Sequence, residues 1–128
     1  VYLTRMCRMR YEFKDYFNYG KMLRPPKTND FVPTFITDSA IGFPDVNEAP
    51  LILSSCWEND GDTVMLITNC DKKEYTLTYD APFDSYDDVK YYGEGKASSV
   101  VDSKIKITIS PESAIAIIKK SKKDKDGN

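Results

Sequence analysis

The change of pattern at Arg24-Pro25-Pro26 constrains this chain more than any other feature. Proline lacks the backbone N–H that a helix needs, and it drives the residue before it towards extended backbone. Upstream, apolar residues recur at Tyr2, Met6, Met9, Phe13, Tyr16/Phe17 and Gly20, the spacing of one helical face. That spacing predicts a helix over Tyr2–Leu23, with Gly20 near its end as a cap. Downstream, as far as Ile118, the apolar pattern is one of short β-like runs separated by turns. The expected fold is therefore mainly β. It is an antiparallel β-sandwich of about seven or eight strands preceded by one N-terminal α-helix. The chain accordingly divides into 1–24 helix, 25–118 β-sandwich and 119–128 a disordered Lys-rich tail.

Leu3, Cys7 and Tyr11 widen the helix's apolar stripe, while Arg5, Arg8, Glu12 and Asp15 trace the opposite, solvated face. A lone helix ahead of an all-β unit, on a chain opening at Val1, reads as the remnant of a preceding domain. The competing reading is a helix packed only on its own sandwich. Cys7, at an apolar position, is expected in the core.

The clearest β signal runs from Pro50 to Cys70. Asp60-Gly61 suits a two-residue turn in which both central residues take positive φ. Taking that turn, Asn59 faces Asp62, Trp57 faces Val64, Cys56 faces Met65, Ser55 faces Leu66 and Leu53 faces Thr68. One face then carries Leu51, Leu53, Trp57, Val64 and Leu66; the other carries Ile52, Cys56, Met65 and Ile67. Two apolar faces predict central strands covered on both sides. The register holds Cys56 and Cys70 about 17 Å apart at ~3.3 Å per residue, beyond disulfide reach, so buried thiols are expected. Around this hairpin, Thr28–Thr37 with Pro33 reads as an edge strand and Asp38–Ala49 as a loop. Tyr75–Tyr79 is expected to complete a second hairpin through Asp71–Glu74, and Asp84–Tyr92 to supply a further strand. After a turn at Gly93-Glu94-Gly95 and a short strand at Ser98–Val101, Lys104–Ile109 and Ser113–Ile118 are expected to close the fold as a hairpin.

The net charge of −2 conceals a partition. Residues 1–24 carry +4 and residues 119–128 carry +3, leaving seven basic against sixteen acidic residues, net −9, on 25–118. An acidic β-unit excludes nucleic acid as the expected partner. No apolar run approaches the roughly 20 residues that span a bilayer, so no membrane partner is expected. The compartment stays open.

The chain contains no histidine, which removes the usual general base, the usual zinc ligand and every Ser-His or Cys-His pair. Gly93 and Gly95 lack the strand-to-helix context of a phosphate loop. Carboxylates gather at Glu58, Asp60 and Asp62, and again at Asp84, Asp87 and Asp88. Paired acids can hydrolyse glycosides or hold calcium, but turn preference accounts for the first group and neither has a calcium-loop spacing. No catalytic residue, cofactor ligand or metal ligand is assigned. Trp57, flanked by Leu51 and Leu53, reads as core. Tyr86, Tyr91 and Tyr92 are the better candidates for exposed rings and for sugar or interface contacts.

The order of elements resembles a known family. Arg10-Tyr11-Glu12 and Tyr19-Gly20-Lys21-Met22-Leu23-Arg24-Pro25-Pro26 look like the last helix of the (β/α)8 catalytic barrel in bacterial glycoside-hydrolase-like proteins. The β-rich segment after Pro26 is similar to their C-terminal β-sandwich, in the run Ala49-Pro50 to Ser55 and Trp57, then Asp60-Gly61, then Ile67-Thr68-Asn69. Ile105–Ile118, with Ser110-Pro111 at its centre, resembles their closing hairpin. The resemblance implies a non-catalytic accessory domain of a carbohydrate-active hydrolase, with the catalytic barrel as partner through the helix and carbohydrate as ligand. Catalytic carboxylates in such proteins lie on the barrel strands, which this sequence does not contain, so none is carried over. An autonomous carbohydrate- or protein-binding sandwich is the alternative.

Overall fold

The computed structural model describes residues 2–37 and 47–121. Two helices, α1 (Tyr2–Glu12) and α2 (Lys14–Tyr19), precede ten strands: β1 (Lys21–Leu23), β2 (Thr34–Thr37), β3 (Asn47–Pro50), β4 (Ile52–Asn59), β5 (Asp62–Asn69), β6 (Tyr75–Asp80), β7 (Asp88–Tyr92), β8 (Gly95–Ala97), β9 (Lys104–Ile109) and β10 (Ser113–Lys119). A five-stranded sheet runs β1-β4-β5-β10-β7, a three-stranded sheet runs β6-β9-β8, and β2 and β3 form a separate ladder. The two larger sheets are antiparallel throughout. The protein is thus mainly β, with two facing sheets and one N-terminal helical region.

The β4–β5 hairpin has the register the sequence predicts, from Asn59↔Asp62 to Leu53↔Thr68. Its turn places Asp60 at φ 52° and Gly61 at φ 89°, so both central residues are left-handed as the Asp-Gly pair requires. Both faces of the hairpin are covered except at Leu53, which was expected on a covered face and is 48% exposed. Ile52, Met65 and Ile67 meet Leu77, Tyr79, Ile105, Ile107 and Ile109 of the second sheet, together with Ile115 and Ile117 of β10. On the other face Val64 and Leu66 pack with Met9 and Phe13 of the helical region, with Trp57 beside them. The sandwich core therefore has a second, helical layer behind it.

Several expectations are corrected. The helix ends at Tyr19, not Leu23, and Lys21–Leu23 turn back as an edge strand along β4, with Lys21 opposite Glu58. Three residues are too few to show a period in sequence, and the open edge of β4 supplies the backbone partners they need. The helix is also offset at Phe13, whose φ of −109° and ψ of 21° leave its ring 4% exposed in the core.

Tyr75–Tyr79 does not pair with β5. Residues Asp71–Glu74 carry the chain into the other sheet, where β6 pairs with β9. Likewise β9 and β10 are not a hairpin, because β10 lies between β5 and β7. The physical reason is burial. Ser113–Ile118 is buried on both faces and demands a central place, whereas β6 and β9 alternate inward apolar residues with exposed Thr76, Lys104 and Lys106, as half-solvated strands do.

Asn47–Ala49, the end of the expected loop, belong to strand β3, and residues 38–46 of that loop lie outside the described residues. The strand expected at Ser98–Val101 lies at Gly95–Ala97, followed by an isolated Val101↔Lys104 bridge. The start of the supposed tail is held in place. Lys119 ends β10, the Lys120 amide donates to Asp87 Oδ2 at 2.7 Å, and the Ser121 amide donates to Asp62 Oδ1 at 2.6 Å. Residues 122–128 lie outside the described residues.

Candidate functional site

Helix α1 lies across β10 and β7 because β10 offers it small residues. Ala114 and Ala116 face the helix while Ile115 and Ile117 face the second sheet. Next to them Tyr92, paired with Ala114, is 5% exposed and packs edge-on to Phe13 with ring centroids 6.5 Å apart. The Tyr92 hydroxyl donates to Glu12, locking helix to strand. Burial first, and the Glu12 carboxylate second, push the Tyr92 phenol well above its usual range.

This docking leaves a cleft on each side of the helix. The first, of about 620 Å³, is lined by Thr4, Arg5, Arg8, Glu12, Lys90, Tyr91, Tyr92 and Gly93. Arg5 is not the solvated residue the helical wheel suggests. Its Nη1 donates to the Glu112 carbonyl at 2.9 Å and to Ser113 Oγ at 3.4 Å. Ser113, 1% exposed, is the hub of that corner: its hydroxyl accepts from the Glu94 amide at 3.2 Å and donates to the Pro111 carbonyl at 3.1 Å. Gly93 permits this arrangement. With φ at 113°, any Cβ there would stand 2.1 Å from Ser113 Oγ and 3.0 Å from Arg5 Nη1.

The second cleft, about 450 Å³, runs between Met9, Arg10 and Phe17 on the helical side and Leu53, Ser54, Ser55, Trp57, Leu66 and Thr68 on the sheet. Phe17 packs edge-on to Trp57 at 4.9 Å, and Trp57 Nε1 donates to Ser55 Oγ at 3.1 Å. Trp57 is thus half-buried at the margin of the helical layer. The outer side of α1 is exposed, with the Lys14 ammonium 4.4 Å over the Tyr11 ring. Leu3 is 72% exposed and Tyr11 68%, with exposed Cys7 one turn from each. Cys7 is therefore surface, not core, a correction with a simple cause: the buried stripe of Met6, Met9 and Phe13 is narrower than the apolar stripe of the sequence.

Comparison with family models, with curated proteins and with solved structures returned no match. The chemistry of the site therefore rests on its own residues.

Of the three tyrosines singled out in sequence, Tyr92 is buried and serves the helix–sheet joint, so it offers no exposed ring. Tyr86 is half-buried beside Phe83, and its hydroxyl donates to the Ser98 carbonyl at 3.0 Å. Burial, with Tyr91 nearby, raises its phenol. Tyr91 alone is open, 41% exposed on β7 at the sheet edge, where it borders both the basic cleft and a further one lined by Glu74, Glu94, Lys96 and Thr108. Arg5, Arg8 and Lys90 escaped the sequence reading because they come together only when α1 crosses β7; the paired alanines of β10 were the available signal.

Most of the acidic groups singled out in sequence serve the fold. Glu58 lies on β4 opposite Lys21, Asp60 forms the turn, and Asp62 and Asp87 hold the chain at Lys120 and Ser121. Asp88 accepts from the neighbouring Val89 amide, and Asp84 is exposed. Among the described residues no three His, Cys, Asp or Glu side chains gather as a metal site. The basic cleft has one carboxylate, Glu12, already engaged by Tyr92. Its arrangement suits binding of an anion beside an aromatic ring and lacks the carboxylate pair that glycoside hydrolysis uses.

Proposed function

We propose that this chain is a non-catalytic β-sandwich accessory domain of a carbohydrate-active hydrolase. It packs on the catalytic barrel through the outer face of α1 and borders the substrate cleft with the edge of β7. The observation that carries the reading is the double apolar character of α1. Met9 and Phe13 are committed to the protein's own sheet, while Leu3 and Tyr11 stay 72% and 68% exposed on the other side. A second apolar stripe of this kind is what an interdomain contact uses, and the resemblance to a terminal barrel helix names the domain that would cover it.

The test is reconstitution with the protein encoded immediately upstream, in which eight strand–helix units are expected. Association should raise thermal stability, and Leu3→Ser with Tyr11→Ser should abolish it while the sandwich itself melts unchanged. Glycoside turnover by this chain alone would overturn the reading.

A second reading has its own support. The helical region is stapled to its sheet by Phe13, Tyr92 and Glu12, so the unit has a closed core without any neighbour. An autonomous carbohydrate-binding sandwich would bind glycans with an affinity indifferent to Leu3→Ser.

A further inference from the structure

The cleft between α1 and β7 is basic where a basic segment meets an acidic one. Residues 1–24, net +4, supply Arg5 and Arg8, and residues 25–118, net −9, supply Lys90, so three cations line this cleft against the single carboxylate of Glu12. Glu12 is occupied by the Tyr92 hydroxyl. Arg5 is half-buried and pinned by the Glu112 carbonyl and Ser113, so little freedom remains for a ligand to freeze. Arg8 and Lys90 are exposed around it, and Tyr91 presents an open ring at the rim.

We propose that this cleft binds an acidic saccharide, its anionic substituent held by Arg8 and Lys90 over the fixed Arg5 and its pyranose ring bordered by Tyr91. Guanidinium and ammonium groups recognise carboxylate or sulfate by charge-assisted hydrogen bonds. The volume, about 620 Å³, is that of a small-molecule site and far exceeds a single inorganic anion. An extended phosphate backbone is disfavoured by the net charge of −9 on residues 25–118, beyond the cleft. This assignment deepens the accessory-domain reading and rests on it for the sugar; the recognition of negative charge rests on the cleft alone.

The experiment is calorimetric titration of the 128-residue chain at low salt with trigalacturonate, its methyl ester, a sulfated oligosaccharide and inorganic phosphate. Trigalacturonate or the sulfated sugar should bind, and the ester should bind at least roughly tenfold more weakly. Arg8→Gln and Lys90→Gln should each weaken the acidic sugar by roughly fivefold or more, and Tyr91→Ala by a similar factor. All three positions are exposed, and circular dichroism verifies that the variants stay folded. Equal affinity for acid and ester, phosphate binding as tight as the sugar, indifference to Arg8→Gln or Tyr91→Ala, or no binding by the folded chain would each overturn the assignment. Failure of the docking reading would appear instead in the Leu3→Ser and Tyr11→Ser reconstitution and leave these titrations unaltered.

Discussion

Removing the side chain of Asn69 should be among the most damaging single changes in this protein. Asn69 ends β5, is fully buried, and sits where the chain leaves the five-stranded sheet for the other. Its Nδ2 donates to the Lys73 carbonyl at 2.7 Å and is shared between the carbonyls of Ile109 at 3.2 Å and Ser110 at 3.1 Å. Its Oδ1 accepts from the Asp71 amide at 2.9 Å. One side chain thus ties two of the crossings between the sheets, β5 to β6 and β9 to β10. Two N–H groups and one acceptor make about three bonds, each contributing about 1 kcal/mol net, and the Ile109 contact lies where water cannot replace it. Asn69→Ala should therefore cost about 3 kcal/mol, a large part of the roughly 5–15 kcal/mol of a typical domain, read as a lower urea midpoint by Trp57 fluorescence. Asn69→Asp keeps the shape but sets a carboxylate against three carbonyls, so its folded pKa rises above the ordinary value of about 3.9. A raised acid favours its neutral form in the fold. The penalty is then small below pH ~4 and grows as pH rises from there through the folded pKa. A cost under about 1 kcal/mol for Asn69→Ala, or an Asn69→Asp penalty flat from pH 3 to 7, would refute the argument.

Three further outcomes rest on particular contacts. Gly93→Ala combines φ 113° with a 2.1 Å approach to Ser113 Oγ; it should lower stability by about 2 kcal/mol or more in a denaturation series, and adding Ser113→Ala should not restore it, because the Ser113 Cβ still stands 2.7 Å from the added one and the hydrogen bonds of the hydroxyl are lost. Cys7 is exposed while Cys56 is 1% exposed with a thiol pushed up to about 11 by burial, so an aromatic disulfide reagent should modify Cys7 rapidly and Cys56 only after unfolding, as mass spectrometry would resolve. Burial, with Asp30 adding to it, raises Tyr79 to about 12, so its stabilising share is complete below pH ~10 and is lost between pH ~10 and 12; alkaline unfolding followed at 295 nm should flatten in Tyr79→Phe, and ordinary titration of every phenol near pH 10 in a still-native protein would contradict this.

The β4–β5 hairpin was legible to the residue because two local signals agree there: a turn pair that demands positive φ, and alternating apolar faces that a one-residue slip would invert. The pairing of strands distant in sequence was not legible, since adjacency along the chain made β6 and β10 look like hairpin partners of β5 and β9. Burial decides it, and the difference was present in the residues. Ser-Ala-Ile-Ala-Ile-Ile at 113–118 leaves no polar face, whereas Tyr75–Tyr79 and Lys104–Ile109 each keep one. A strand with two apolar faces takes the centre, and the strands with one polar face are left to build the outer sheet.

The same strand explains why the candidate site exists. Alternation in β10 sends Ile115 and Ile117 towards the second sheet and Ala114, Ala116 and Ile118 towards the helix, so the sandwich side is filled by bulk and the two alanines leave the other side shallow enough for a helix to lie close. Bringing α1 close sets Arg5 over Ser113 and Arg8 beside β7, and it turns Tyr92 inward against Phe13 while Tyr91 remains outside. The cations of the cleft are thus gathered by a packing requirement, not by any motif, and this is why they are scattered as Arg5, Arg8 and Lys90 in the sequence. Cleft and core are therefore coupled through two methyl groups: larger side chains at Ala114 or Ala116 would lift the helix and open the binding surface before they disturbed the sandwich on the other face.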